Sequence, residues 1–599
     1  MTTSESATTT STADTATMSA LAQQAASRHP DLVAARYKRG DEWVETTYAE
    51  LGEMVRDLAL GLIDLGVAAG DRVCVLANTR FEWTVTNLAI NAVGAIVVPI
   101  YPTNSADEVA WVLGNSGAKV VVAENAMQVA KIEEVRGELP ELDKVVLIDG
   151  DGGSLPTIES VAAAGRDAGL GDELAARIAG VQLSDPCLII YTSGTTGRPK
   201  GVVLTNAGIS EGRTLATEIG LMGPGDVIYL YLPLAHVFAQ LVQADALEVG
   251  ATIAYFGGDT TQIVAELGVV KPTVLPSVPR IFEKIYAMAV GMVPDDQREN
   301  FEQAVDVGVA VRQARHRGED VAPEQEEMLA LADELIFGLV RGLFGGEVNL
   351  AISGAAPIAP EILRFFYAAG VPVFEGWGMT ETTSLGTLNL PDAFRFGTIG
   401  KALPGVEMKI AEDGEMLMRG PVVFKEYWKN PEATAGTIDA DGWMSTGDVG
   451  EVDEDGYFTI TGRKKDIIIT AGGKNLTPAN IEGDLRQSPW ISQAVMYGDR
   501  RPFPVALITL DPETIVPWAE KEGLPTAIAE LAQHETVRQM VQDEMDRANA
   551  KYAKVEQIKR FVILDQDFTQ ETGELTPTLK LKRNVVYENH ADAISDLYS

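Results

Sequence analysis

Between Tyr191 and Val202 the chain reads Tyr-Thr-Ser-Gly-Thr-Thr-Gly-Arg-Pro-Lys-Gly-Val, and no other stretch restricts the fold so tightly. An apolar run, Cys187 to Ile190, leads in like a buried strand, and Val202 to Leu204 resumes the same character. The loop between them carries Thr192, Ser193, Gly194, Thr195, Thr196, Gly197, Arg198 and Lys200. Glycine lets a backbone approach a ligand and turn its N–H groups inward. The hydroxyls add donors and Lys200 a mobile positive charge, which is the chemistry that holds a polyphosphate. A Walker A loop ends in Gly-Lys-Ser/Thr at a helix start; here Arg198-Pro199 follows Gly197, and Gly201 follows Lys200. Taken alone, such a cluster fits a polar surface turn equally well.

The surrounding pattern argues for an α/β protein. Helical periodicity over 48–65 precedes a strand over 72–76, and the alternation continues with a helix at 81–93, a strand at 95–99, a helix at 106–116 and a strand at 119–123. That spacing means a parallel sheet. A chain of 599 residues exceeds one core, so two or more domains are expected. Mean hydropathy near zero (+0.03), with no apolar run approaching ~20 residues, excludes a membrane-spanning helix. Cys74 and Cys187 fit neither a disulfide framework nor a four-ligand zinc site, so a reducing cytoplasm is the expected home. The net charge of −38 excludes nucleic acid as a partner. It is uneven: from Arg463 onward 17 basic residues face 21 acidic ones, so the last 137 residues carry −4 and the rest −34. The Thr/Ser/Ala-rich start has no apolar core of a signal peptide and reads as a disordered tail, residues 1–20.

Downstream, glycine recurs where strands end. Ser353-Gly354-Ala355-Ala356-Pro357 follows an apolar run over 348–352, and Glu375-Gly376-Trp377-Gly378-Met379-Thr380-Glu381 follows another over 372–374. In open α/β sheets ligands sit outside the carboxyl ends of strands. His236 lies at a strand end in Pro-Leu-Ala-His-Val-Phe. A decoy, Gly208-Ile-Ser210-Glu-Gly212, fits the hydrolase elbow. With Asn206 read as a helix cap, however, Ser210 falls inside the helix rather than at its start. After Gly397 the texture turns to short strands, with Trp443-Met-Ser-Thr-Gly-Asp448 and then Gly462-Arg463-Lys464-Lys465-Asp466. Near the end stands Thr576-Pro-Thr-Leu-Lys580-Leu-Lys582-Arg583.

These motifs, in this order over roughly 20–590, closely resemble the AMP-forming adenylate synthetases: acyl-CoA synthetases, peptide-synthetase adenylation domains and beetle luciferases. The resemblance implies an α/β fold with a large multi-layer N-terminal domain over 21–462. That domain would hold parallel sheets and a small barrel-like β subdomain, with a small mobile C-terminal α/β lid over 463–599. It implies that the glycine-rich loop, with Gly354, Ala355, Glu375, Gly376, Trp377, Asp448 and Arg463, binds ATP or AMP. Trp377 would stack on the base, and Asp448 would accept from both ribose hydroxyls. Thr380 would contact phosphate, Glu381 ligate magnesium, His236 sit beside the substrate carboxylate, and Lys580 be the catalytic lysine. Lys465 would be the hinge, and Gly472, Gly473 and Lys474 would line the CoA path. Lys582, close by, leaves the identity of the essential lysine open.

A charged, largely helical block over 287–347 and Thr578-Leu579 before Lys580 resemble the long-chain group. The expected reaction joins a long-chain fatty acid to CoA through an acyl-adenylate, with ATP, Mg²⁺ and CoA taking part. A fatty acyl-AMP ligase, a CoA ligase for another acid, and a silent acyl-binding or transport protein are the alternatives. No Gly-Gly-x-Ser carrier serine follows Lys580. Chain length preference, oligomeric state and peripheral membrane contact stay open.

Overall fold

The computed structural model describes residues 17–150, 153–192, 198–471, 475–576 and 580–599. Two large sheets carry the N-terminal body. One has seven strands, and its parallel centre is built from Pro186–Thr192, Ile96–Ile100, Arg72–Leu76, Val120–Ala123 and Lys144–Leu147. The strand Lys200–Thr205 returns antiparallel beside Pro186–Thr192, pairing Thr192 with Lys200. The two apolar runs around the glycine-rich loop are therefore neighbouring strands. Ser193 to Gly197 lie outside the described residues.

The second sheet has nine strands. Its parallel core runs through Val373–Trp377, Leu350–Ser353, Val274–Ser277, Val227–Leu230 and Thr252–Tyr255. Two helices, Phe81–Ala92 and Val237–Val249, are buried nearly all round and belong to a core that reaches both sheets. A helix apolar on every face must lie inside a protein. Two polar pairs join these helices: Thr84 donates to Gln243 at 2.6 Å and Asn87 to Gln240 at 3.1 Å. The small β unit is a four-stranded antiparallel sheet ending in Met444–Val452 and Phe458–Arg463.

The C-terminal domain packs Ile491–Tyr497, Val505–Leu510 and Arg560–Ile563 into one sheet with its own core. Between the nine-stranded sheet and solvent, the charged block forms the helices Arg298–His316 and Pro323–Ala332, a π-helical turn at Asp333–Phe337 and a last helix, Gly338–Leu343.

Local readings need correction in two places. The tail does not extend to residue 20, because Met18 and Ser19 are buried and the Met18 N–H donates to Asn206 Oδ1 at 2.8 Å. That bond also explains why Asn206 is not the cap of Asn206–Glu218. Thr205 is, with Oγ1 accepting from the Gly208 N–H. Ser210 is buried inside this helix, as expected, and is no nucleophile elbow.

Candidate active site

The site forms where strand ends of the large domain meet the small domain. Asp448 lies in the strand Met444–Val452 and is nearly buried, at 3 % exposure. Its Oδ1 pairs with Arg463 Nε at 2.8 Å, and its Oδ2 accepts from the Trp377 indole N–H at 2.8 Å. Each carboxylate oxygen keeps a further lone pair, so Asp448 is held rigid while still able to accept from a pair of hydroxyls. Trp377 thereby takes a part beyond the one expected. Its ring is largely buried in the core, and its N–H fixes Asp448.

Glu381 sits in the 3₁₀ turn Thr380–Thr382, with both Thr380 and Glu381 buried. The turn folds back so closely that a Cβ on Gly378 would stand 2.2 Å from the Ser384 carbonyl oxygen. Glu381 Oε1 accepts from the Tyr427 hydroxyl at 2.8 Å, and Lys200 Nζ lies 4.9 Å from the Tyr427 ring centroid. Burial first, then the charge of Glu381, hold the Tyr427 phenol protonated, so it stays a donor. Among the described residues no three carboxylate, histidine or cysteine side chains cluster to cage a metal. A lone oriented carboxylate suits magnesium that arrives on substrate phosphates, since Mg²⁺ typically takes one or two carboxylates plus phosphate oxygens.

His236 caps the helix Val237–Val249, with Nδ1 accepting from the Phe238 N–H at 3.2 Å. That bond places the ring proton on Nε2. Burial, and then the charge of Lys580, push the imidazole down to about 3, so it is a neutral donor. Ala355 adopts φ 69°, the left-handed region that non-glycine residues rarely enter, in the loop after Ser353. The buried Glu375 carboxyl lies beneath that loop and accepts from the Ile358 N–H at 3.4 Å. Loss of water raises it to about 8, with the Ile358 bond opposing. Its side chain supports the loop.

From the small domain, Lys580 reaches this cluster and feels the charges of Arg463, Asp448 and Glu381. Its residue surface is exposed, yet it lies near enough to these three groups for their charges to act on it. Desolvation, reinforced by Arg463 and opposed by Asp448 and Glu381, lowers it to about 8. Lys582 points elsewhere, to Glu108 at 3.9 Å. The domains are also joined by Arg280 with Asp511 at 2.7 Å, Lys284 with Glu513, and Lys551 with Glu361 at 3.4 Å.

At the junction, Lys464 Nζ is held by Asp413 at 2.6 Å and Glu415 at 2.8 Å, both in the large domain. Asp466 instead stands 3.9 Å from Arg583 of the small domain. Lys465 is the residue between these two attachments. The loop Gly472, Gly473, Lys474 lies outside the described residues. Sequence reasoning misses Tyr427, Lys464 and Arg583 as site residues. The Tyr427-Trp-Lys-Asn-Pro431 run, an aromatic pair closing a strand, is a local signal for the first of them.

The site thus joins a lysine of the small domain to two oriented carboxylates and a neutral imidazole of the large one. The sequence profile described as AMP-binding enzyme matches residues 22–428, and that of the AMP-binding enzyme C-terminal domain matches residues 465–599. The chain belongs to the AMP-binding enzyme family. It is 40% identical over 575 residues to the long-chain-fatty-acid–CoA ligase FadD15 of Mycobacterium tuberculosis, covering 95% of each. To the long-chain-fatty-acid–CoA ligase ACSBG2 of Xenopus laevis it is 31% identical, covering 97% of this chain and 84% of that one. The solved fatty acyl CoA synthetase of Mycobacterium tuberculosis has the same fold, with a TM-score of 0.60 at 23% identity, covering 96% of this chain and 99% of that one.

Proposed function

We propose that this protein is a long-chain fatty acid–CoA ligase working in two half-reactions. A fatty carboxylate oxygen attacks the α-phosphorus of MgATP, and pyrophosphate leaves with the bond electrons, giving acyl-adenylate. The CoA thiol, giving up its proton to solvent, then attacks the acyl carbon through sulfur, and AMP departs with the electrons of the broken C–O bond. The attacking carboxylate is already ionised near neutral pH, so no general base is needed. The obstacle is charge, because both reactants are anions.

The observation that carries this reading is the position of Lys580, brought by the small domain against Asp448, Glu381 and His236 of the large one. Its ammonium would offset the charge growing on the α-phosphoryl oxygens. Glu381, oriented by Tyr427, would ligate the substrate's magnesium, which neutralises phosphate charge when bound. The Nε2–H of His236 would donate to the acyl carboxylate, and Asp448 with Arg463 would hold the ribose. The glycine-rich loop from Thr192 to Lys200 is assigned to the phosphates, and Gly472 to Lys474 to the CoA path. A lysine needed between the walls for adenylation must leave before CoA can enter, so the lid turns about Lys465.

The long-chain assignment is supported by the names of the relatives and by the helical block over 298–343. A cytoplasmic location belongs to the same reading, supported by two thiols kept free. The test is CoA thioester formation across acetate, octanoate, palmitate, oleate and benzoate. Each buried CH₂ contributes roughly 0.8 kcal/mol, so rates should climb steeply with chain length and peak at palmitate or oleate. A preference for acetate or benzoate overturns the substrate class. Pyrophosphate release without any thioester would make the protein an acyl-AMP ligase, and no pyrophosphate at all a silent acyl-binding protein.

A further inference from the structure

Lys580 is set in a short return of chain that is bonded at close quarters. Thr576 N–H donates to the Lys580 carbonyl at 2.8 Å, and Lys580 N–H donates to Thr576 Oγ1 at 3.0 Å. Leu575 bridges Leu581 in antiparallel fashion, and Lys582 N–H donates to the Glu574 carbonyl at 2.8 Å. These bonds hold the return together, and it packs on the rest of the lid through Leu575 and Leu581, which join Val495 and Leu507 in one cluster, and through Glu574, which pairs with His590 at 2.8 Å. A further and more directional tie stands three residues past the lysine, where Arg583 opens the helix Arg583–Asn589. Its guanidinium grips the Glu482 carboxylate with both nitrogens, Nη1 at 2.7 Å from Oε1 and Nη2 on Oε2. The pair is buried, with side-chain exposures of 14 % and 6 %. Glu482 is locked in turn, its Oε1 accepting from the Met496 N–H at 2.6 Å.

A two-pronged Arg–carboxylate pair specifies direction as well as distance. Buried pairs of this kind add little net stability compared with apolar packing of equal volume. This one also has a third partner in a telling place: Asp466 Oδ2 lies 3.9 Å from Arg583 Nε. Asp466 is the first residue after Lys465, and the residue before Lys465 is bonded to the large domain. One guanidinium therefore connects the exit of the hinge, the helix Pro478–Leu485 and the segment bearing the lysine.

We infer that Arg583 is a positioning residue for the first half-reaction: it fixes the Lys580 segment to the hinge exit, so that a turn about Lys465 delivers the ammonium to one place. The inference rests on Lys580 serving adenylation. Arg583 touches no reactant, and in the pose that admits CoA the lysine is withdrawn, so its loss should fall on one half-reaction only.

The experiment compares the parent, Arg583→Lys, Arg583→Met with Glu482→Gln, and Lys580→Ala in the full chain. Melting temperature, ATP–pyrophosphate exchange with palmitate, and thioester formation from supplied palmitoyl-adenylate are read for each. The double variant removes both charges, while the introduced amide oxygen can still accept from the Met496 N–H, so no lone buried charge is left. Misplacement by about 1 Å costs on the order of 10²-fold. The expected result is exchange lowered by about that factor in the double variant, an intermediate loss in Arg583→Lys, and little change in melting temperature or in the second half-reaction. Arg583→Lys keeps charge and bulk, so it reports even if the double variant melts early. Exchange at the parent level in the double variant, or equal losses in both half-reactions of Arg583→Lys, overturns the inference. Normal exchange in Lys580→Ala would instead overturn the role of the lysine on which it rests.

Discussion

Replacing Glu375 by Gln isolates one buried carboxyl and gives a signed prediction. Glu375 is nearly buried, at 7 % exposure, and its carboxyl accepts from the Ile358 N–H. In the unfolded chain the group titrates near 4.5, and in the folded protein desolvation raises it to about 8. Between these values the folded state holds about one more proton than the unfolded state, so stability falls as pH rises through the window. At about 1.36 kcal/mol for each pH step of one, the cost is roughly 3 kcal/mol at pH 7 and levels off at about 5 kcal/mol above pH 8. The side chain of Glu375→Gln keeps a carbonyl to accept from Ile358 and cannot ionise.

His236 slopes the other way. Its folded value of about 3 against an unfolded 6.5 makes stability rise with pH, but only up to about 6.5. Urea denaturation of ligand-free parent and Glu375→Gln from pH 6.5 to 8 therefore reads Glu375 with the His236 contribution constant. The variant should be more stable at every point, with a gap widening by roughly 2 kcal/mol across that range. A constant gap, or a less stable variant, would refute a neutral Glu375 beneath the Ala355 loop.

Two further outcomes follow from the hinge and from the Glu381 support. Lys465→Pro fixes one backbone angle between the attachments of Lys464 and Asp466; ATP–pyrophosphate exchange should survive while thioester formation fails, and equal losses would place the hinge elsewhere. Tyr427→Phe removes the hydroxyl held by Glu381; a hydrogen bond to a charged group contributes about 1.5 kcal/mol or more. Half-saturation by magnesium should then rise about tenfold, with melting temperature little changed, and an unshifted magnesium curve would remove Tyr427 from the site.

The parts of the site legible in the sequence are those written in consecutive residues. The strand–loop–strand around 191–202 is local, and so is the glycine turn before Glu381, whose close approach to Ser384 admits no side chain. Strand ends carrying glycine mark where ligands meet α/β sheets, and the strands that end there do run parallel. What escapes a reading of the sequence depends on partners far away in the chain. Nothing near Trp377 says that its N–H will meet Asp448, 71 positions on, so an aromatic beside a glycine reads as a base platform. The Arg583–Glu482 pair spans 101 positions, and an Arg after two lysines reads as surface charge. Asn206 suits a cap by residue type, yet its side chain is engaged by Met18, from a segment that reads as a tail.

The central claim is that the small domain carries Lys580 into the large domain's site to make acyl-adenylate. The most direct measurement is ATP–pyrophosphate exchange with palmitate in Lys580→Ala and Lys582→Ala, alongside thioester formation from supplied palmitoyl-adenylate and CoA. The account predicts a loss of ~10²-fold or more in exchange for Lys580→Ala, a near-parent rate for Lys582→Ala, and a second half-reaction largely spared in both. Exchange that survives in Lys580→Ala, or falls further in Lys582→Ala, would contradict it.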